Sequence, residues 1–278
     1  MHGKTIVITG ATSGIGEVAA LRLAERGGRI VFIARDKIRA SATMEKLRRA
    51  NGAVEHAALL ADLSLLSEMK RVAAEIAEEP QIDVLINNAG ALFSTRQETR
   101  DGLERTFALN HMSYFVITNM LLPRLKPGAR IVSTASGAHR RANLNFGDLQ
   151  NRQGYSGFAV YASSKLCNIL FTRELARRIA GSGVTANCLH PGFVATRFGD
   201  QSGGLLALGV WAAKRLSAIS QEEGAKTIIH LAASSDVANI SGEYFYKCEA
   251  DTPSAAARND GDARRLWDVS TEISGVGQ

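Results

Sequence analysis

Short apolar runs, each closed by glycine or a polar turn, alternate along this chain with longer stretches in which apolar residues recur every three or four positions. The runs Thr5-Ile-Val-Ile-Thr9, Arg29-Ile-Val-Phe-Ile-Ala34, Val54 to Leu60, Asp83-Val-Leu-Ile-Asn87, Arg130 to Thr134, Val184 to His190 and Glu243-Tyr-Phe-Tyr246 predict strands. Between them, Val18, Leu21 and Leu23 lead to a stop at Gly27-Gly28, and Leu65, Met69, Val72 and Ile76 mark a second helix. Further helices are predicted around 102–122, through Cys167, Phe171, Leu175 and Ile179, from Ser220-Gln-Glu-Glu223 to Ala233, and over 262–269.

Strands separated by helices imply an α/β fold with right-handed crossovers: a Rossmann-type, doubly wound parallel sheet with helices on both faces. Repeats, low-complexity segments and linkers are absent from the sequence, so residues 1–278 read as a single domain. Ligands of such sheets lie beyond the carboxyl ends of the strands. Gly10, Arg35, Asp62, Asn88, Ser136 and Pro191 each follow a strand and are expected along one edge.

An apolar fraction of 45% and a charged fraction of 22% fit a folded soluble core and exclude disorder. The net charge of +6 suits an anionic ligand, but basic residues are scattered among acids, which argues against nucleic acid. Cys167, Cys188 and Cys248 form no paired motif, so neither disulfide framework nor metal site is indicated. The expected setting is the reducing cytoplasm. Met-His-Gly-Lys runs straight into a strand, leaving no room for a signal peptide, and no apolar run reaches the roughly 18 residues of a membrane span.

Three features then carry chemistry. Gly10-Ala-Thr-Ser-Gly14-Ile-Gly16 stands between a strand and a helix, where glycines allow backbone N–H groups and a helix N-terminus to approach a diphosphate. The second strand ends at Arg35-Asp36; a carboxylate there suits the ribose hydroxyl of NAD and an arginine the 2′-phosphate of NADP. Arg35 comes first, with Lys37 and Arg39 behind it, favouring NADP(H), with NAD(H) the alternative and Asp36 also a candidate helix N-cap. Third, Tyr161-Ala-Ser-Ser-Lys165 sets a phenol and an ammonium four apart on one helix face. A positive charge roughly 4 Å from the phenol, at an effective dielectric of about 20, favours the phenolate by about 4 kcal/mol. Lys165 is thus expected to bring Tyr161 down by about three pKa units, towards neutrality.

Taken together, Thr9-Gly-Ala-Thr-Ser-Gly-Ile-Gly16, Asp62-Leu63, Asn87-Asn-Ala-Gly90, Tyr161-x-x-x-Lys165 and Pro191-Gly192 resemble, in order and spacing, the short-chain dehydrogenase/reductases. Ser164-Lys-Leu-Cys-Asn168, Phe171 to Arg177, Phe146-Gly-Asp-Leu-Gln150, Ala257-Arg-Asn259 and Arg265-Leu-Trp267 resemble the retinol dehydrogenase-like group within it. The resemblance implies that Tyr161 exchanges a proton with the substrate oxygen and that Lys165 holds the nicotinamide ribose. It implies that Ser136 bonds the substrate carbonyl and that Asn110 holds a water linking Lys165 to solvent. Cofactor contacts are implied for Gly10, Thr12, Ser13, Gly14, Ile15, Gly16, Arg35, Asp36, Asp62, Leu63, Asn88, Ala89, Gly90, Tyr161, Lys165, Pro191, Gly192, Val194 and Thr196. His139 and His190 are expected to be structural or pocket-wall residues.

The expected enzyme is an NADP(H)-dependent oxidoreductase interconverting a small apolar aldehyde or ketone and its alcohol, as a homodimer or homotetramer. A cofactor-binding sensor or scaffold is the competing class, but it would be expected to lack the proton donor or its lysine. Lys165-Leu-Cys-Asn168 also resembles the protochlorophyllide reductases. Phe146, Tyr155 and Phe158, in the long Ser136-to-Tyr161 connection, are expected to wall the pocket. Residues 197–220, with Leu205, Leu206, Leu208, Val210, Trp211 and Leu216, are expected to form an apolar substrate lid, the alternatives being a lipid-touching helix or core packing.

Overall fold

The computed structural model describes residues 1–193 and 219–277. Its strands are β1 (Thr5–Thr9), β2 (Arg29–Ala34), β3 (Ala57–Leu60), β4 (Ile82–Asn87), β5 (Leu125–Thr134), β6 (Thr185–Leu189), β7 (Tyr244–Tyr246) and β8 (Glu249–Ala250). They form one sheet in the order β3-β2-β1-β4-β5-β6-β7-β8, parallel except for the β7–β8 hairpin. The order reverses between β1 and β4, so a crevice opens above their carboxyl ends.

Strands β1, β2 and β4 are mostly apolar and buried along nearly their whole length because both faces are covered. Ile6, Ile8, Ile30, Phe32, Val84 and Ile86 face one core with α1 (Gly14–Glu25), α2 (Lys37–Ala50) and, later in the chain, Gln221–Ala233. The alternating residues Val7, Val31, Ile33, Leu85, Ile131 and Ala186 face the other, with α3 (Leu66–Ala77) and the helices that follow.

Those are α4 (Arg105–Phe107), a π-helical turn (Ala108–Met112), α5 (Ser113–Leu121), α6 (Gly157–Arg178) and α8 (Asp260–Ser274), while the helix on the first face, Gln221–Ala233, is α7. Asn259 caps α8 by accepting from the N–H groups of Gly261 and Asp262. Trp267 of α8 stacks on Phe171 of α6 at 5.9 Å and meets Phe115 of α5 edge-on at 5.0 Å. The C-terminal helix therefore seals the back of α5 and α6.

Several boundaries differ from expectation. β3 starts at Ala57, not Val54, because His56 turns inward: its Nδ1 accepts from Ile30 N–H at 3.0 Å, a place a strand carbonyl would otherwise fill. β5 starts earlier, at Leu125, beyond a register irregularity opposite Ile82 and Val84. The 102–122 helix is interrupted by the π turn, and the C-terminal helix runs longer at both ends. Among the described residues no helix is long and apolar enough to cross a membrane.

Candidate active site

Gly10 ends β1 at φ +70°, and a Cβ there would lie 2.8 Å from Ala89 Cα. A Cβ on Gly16 would stand 2.3 Å from both the Gly10 carbonyl oxygen and Asn88 Nδ2. The amide of Asn88 holds this turn from above, donating to the Thr9 carbonyl at 3.2 Å and the Gly10 carbonyl at 3.1 Å. Thr9 reciprocates: its Oγ1 accepts from the N–H groups of Asn88 at 2.8 Å and Ala89 at 2.9 Å. The first switch-point strands are thereby locked together under a close-packed glycine turn.

Helix α1 opens at Gly14 with Ser13 as N-cap, and the Ser13 side chain makes no capping bond. Its first-turn N–H groups and positive end are left for an anion, and Thr12, Ser13 and Ile15 lie at the accessible rim. This cradle fits the diphosphate of a dinucleotide. At the end of β2, Asp36 accepts from Arg39 N–H at 2.9 Å and caps α2, while Arg35, Lys37 and Arg39 are exposed. Asp62 accepts from the N–H and hydroxyl of Ser64 at 3.0 and 2.8 Å, and Leu63 is core.

Further along the edge, a Cβ on Gly90 would lie 3.2 Å from Asn110 Oδ1 and 3.3 Å from Lys165 Nζ, so the three converge. Asn110 sits in the π turn. Its Oδ1 accepts from Ala91 N–H at 2.9 Å, and its Nδ2 donates to the Ala91 carbonyl and to Ser164 Oγ, each at 2.9 Å. All the amide's strong bonds go to the Gly90 loop and to α6, so its side chain braces these elements. Lys165 is 3% exposed and donates to the Thr134 carbonyl at 2.9 Å.

Tyr161 lies one helical turn before Lys165 and shares a hydrogen bond with the Ser136 side chain. Ser136 follows β5, and its Oγ also accepts from Ala138 N–H at 3.2 Å. Gly157 lets α6 start against Phe93: a Cβ there would meet the Phe93 carbonyl oxygen at 2.4 Å. The phenol, the serine hydroxyl and the buried amine thus come together at the carboxyl edge beside the glycine cradle.

The expected direction of the phenol's pKa is reversed. Burial pushes Tyr161 up to about 12, opposed only by the Ser136 hydrogen bond. Burial lowers Lys165 to about 7, so its own charge is disfavoured, and its Nζ stands 5.8 Å from the Tyr161 ring centre while bonded to Thr134. The helical spacing foresaw the pair but not its desolvation.

Pro191-Gly192 closes the far end, with Gly192 at φ +89° donating its N–H to His190 Nδ1 at 3.0 Å. His190 stacks on Tyr246 at 4.2 Å. Val194, Thr196 and nearly all of the expected lid, 197–218, lie outside the described residues. In the long connection, Tyr155 donates to the Phe93 carbonyl at 3.1 Å and Phe146 lies under Arg265 at 4.4 Å. These two brace the insertion from outside, whereas Phe158 is 41% and Phe193 46% exposed.

Two side chains support the site: His139, expected from sequence to be structural or pocket-wall, and Glu104, which sequence reasoning passed over. The ring of His139, at 2.7 Å from the Ser136 carbonyl through Nδ1, accepts from Ser254 N–H at 3.1 Å through Nε2, tying the serine loop to a segment over a hundred residues away. Fully buried Glu104 caps α4 through the N–H groups of Thr106 and Phe107 and accepts from the Tyr155 hydroxyl at 3.3 Å. The distant half of each support, Ser254 for His139 and Tyr155 for Glu104, has no local signal.

A doubly wound sheet with an anion cradle at its switch point and a tyrosine–lysine pair on the same edge defines a dinucleotide-dependent oxidoreductase. The short chain dehydrogenase family profile matches residues 4–203, and the chain belongs to that family, whose members act on CH–OH and C=O groups. Retinol dehydrogenase 14 of Mus musculus is 40% identical, with 99% of this chain and 87% of the relative covered. Retinol dehydrogenase 12 of Homo sapiens is 38% identical, with 99% and 88% covered. An uncharacterised protein of Mycobacterium paratuberculosis superposes with TM-score 0.80 at 32% identity, covering 99% of this chain and 94% of that one. A Burkholderia cenocepacia short chain dehydrogenase in complex with NADP superposes with TM-score 0.71 at 25% identity, covering 92% and 98%.

Proposed function

We propose that this oxidoreductase uses NADP(H) to interconvert an apolar aldehyde or ketone and its alcohol, with Tyr161 as the acid and base. The observation that carries this reading is the junction of the Tyr161 and Ser136 hydroxyls beside buried Lys165, on the edge that holds the glycine cradle. Gly10, Gly14, Gly16 and the open first turn of α1 would hold the diphosphate, and Lys165 the ribose nearest the reacting ring. The bound nicotinamide supplies or accepts the hydride.

The chain's own residues manage the oxygen. As a carbonyl is reduced, negative charge grows on its oxygen, and two hydroxyl donors aimed there stabilise it in a site where water is scarce. Tyr161 then gives up its proton; a phenol with a raised pKa is fully protonated at neutral pH, the form that reduction needs. Lys165, lowered by burial to about 7, is the next carrier, able to return a proton to the phenolate. Ser136 keeps its hydroxyl in place because its loop is fastened by His139.

Two observations support NADP. The Asp36 carboxylate is engaged as a helix cap, and Arg35 and Lys37 stand exposed beside it, matched to a phosphate. The apolar substrate reading rests on the exposed rings of Phe158, in the first turn of α6, and Phe193, beyond the Pro-Gly turn, and on the retinol dehydrogenase names of the relatives. A steady-state screen of aldehydes, ketones and alcohols with both nicotinamides in both redox states tests the proposal. Turnover of apolar carbonyls with NADPH is expected; binding of cofactor with no turnover across the panel would overturn it.

A further inference from the structure

Glu104 is fully buried, yet the reaction makes no use of its carboxylate. Its hydrogen-bond partners among the described residues are neutral: the N–H groups of Thr106 at 2.9 Å and Phe107 at 2.7 Å, and the Tyr155 hydroxyl at 3.3 Å. A carboxylate taken out of water is costly unless donors surround it. The backbone joins in, because Glu104 N–H donates to Gln150 Oε1 at 2.7 Å. Both halves of the residue therefore grip the long connection that leads into α6.

Capping α4 does not by itself explain a glutamate. Ser, Thr, Asp and Asn are the preferred caps, and a shorter carboxylate would serve the helix end. The extra methylene lets Oε1 reach the head of α4 and the Tyr155 hydroxyl together. That hydroxyl has one proton, placed between Glu104 Oε1 and the Phe93 carbonyl, which stands 3.1 Å away. Its oxygen is 3.3 Å from Thr106 Oγ1, a hydroxyl able to donate to it. Three segments meet at this one oxygen: the loop after β4, the head of α4 and the approach to α6.

The junction lies on one side of Tyr161. Just beyond Tyr155, Gly157 starts α6 against the same Phe93 carbonyl. On the other side, Asn110 donates to Ser164 Oγ at 2.9 Å, and the Ser164 hydroxyl donates to the Tyr161 carbonyl at 2.7 Å. The stretch from Glu104 to Asn110 thus holds α6 both upstream and downstream of the phenol. We propose that Glu104 and Tyr155 are positioning residues: their contact fixes how α6 leaves Phe93, and hence where the Tyr161 hydroxyl stands relative to Ser136. The effect on rate rests on the oxidoreductase reading given above; the effect on the placement of Tyr161 does not.

Two measurements test it. Tyr155→Phe keeps the ring and removes the hydroxyl, whereas Glu104→Asp keeps a capping carboxylate for α4 but withdraws it from Tyr155. Well below the unfolding transition, each should lower kcat about tenfold, the rate equivalent of one good hydrogen bond, with the NADPH dissociation constant unchanged. Because both cut the same contact, the double variant should be no slower than either single one. A folded Tyr155→Phe protein with parental kcat, or losses that multiply in the double variant, would overturn the positioning role. The second measurement needs no turnover. In protein carrying ¹³Cζ-tyrosine, the Tyr161 resonance is the one that Tyr161→Phe removes. Tyr155→Phe should displace it by more than the resonances of Tyr244 and Tyr246 on β7, and an unmoved Tyr161 resonance overturns the proposal. Absence of turnover in the parent would instead count against the oxidoreductase reading, with the placement of Tyr161 decided by the spectrum.

Discussion

Asn88 Nδ2 lies so close above Gly16 that a single methyl group on the glycine would stand 2.3 Å from it. The same methyl would meet the Gly10 carbonyl oxygen at 2.3 Å, so it cannot be relieved by rotating one side chain. Gly16→Ala is therefore expected to push α1 off β4 and to cost about 1–3 kcal/mol of stability, as overpacking does. Cofactor affinity should fall with it, because α1's open first turn moves. Chemical denaturation and fluorescence titration with NADPH read the two losses; an alanine variant unchanged in both would contradict the packing.

Tyr161→Phe removes a hydroxyl and keeps the ring in place at the start of α6. Turnover should drop by about 10² to 10⁴, the range for losing a positioned acid–base group, with the NADPH dissociation constant changed little. Stopped-flow turnover and equilibrium binding on one preparation separate the two effects.

Arg35→Asp places a carboxylate where the structure presents an exposed guanidinium, while Asp36 remains occupied by the cap of α2. The ratio of kcat/KM for NADPH to that for NADH should fall by at least about tenfold, the factor one lost charged hydrogen bond supports. Unaltered preference in the variant would remove Arg35 from the cofactor site.

Two directions of catalysis should respond differently to pH. Burial raises the Tyr161 pKa to about 12, so the proton-donating form persists through neutrality and reduction should be flat there. Alcohol oxidation needs the deprotonated phenol, and its rate should climb steadily above neutral pH. Initial rates in each direction across pH, at saturating substrates, give the two profiles.

Acid stability follows from the histidines. Burial lowers His111 to about 3 and His190 to about 4, from 6.5 when unfolded, and lowers His56 and His139 as well. Groups whose folded pKa is depressed contribute stability that is present above the unfolded value and lost as pH falls towards the folded one. Denaturation midpoints should thus decline from pH 6.5 down to about 4. A plateau over that interval would show that these rings are solvated.

The element order was legible because each central strand carries a short apolar run and the helices carry an apolar stripe, patterns that local sequence contains. Gly10, Asn88, Ser136 and Lys165 fall at strand ends or one helical turn from a motif residue, so their convergence on one edge could be anticipated. What could not be read depends on distant partners. The π turn at Ala108–Met112 places Asn110 between Ala91 and Ser164, and nothing in Ala-Leu-Asn-His-Met announces it. β8 is two exposed residues paired through a turn at Lys247 and Cys248, both at positive φ, without any apolar alternation. The Tyr161 pKa was misjudged in direction because counting residues between charges says nothing about how dry they become.

Trp267 packs against both Phe115 and Phe171, which also touch each other, and Arg177 reaches Asp260 at the head of α8 at 2.7 Å. A ribosome delivers α6 some eighty residues before the helix that covers it, so during synthesis the back of the catalytic helix waits uncovered. The nascent enzyme passes through an interval in which its cradle strands are complete but its aromatic back is sticky. Chaperone dependence should therefore track the emergence of α8 and be insensitive to the supply of cofactor.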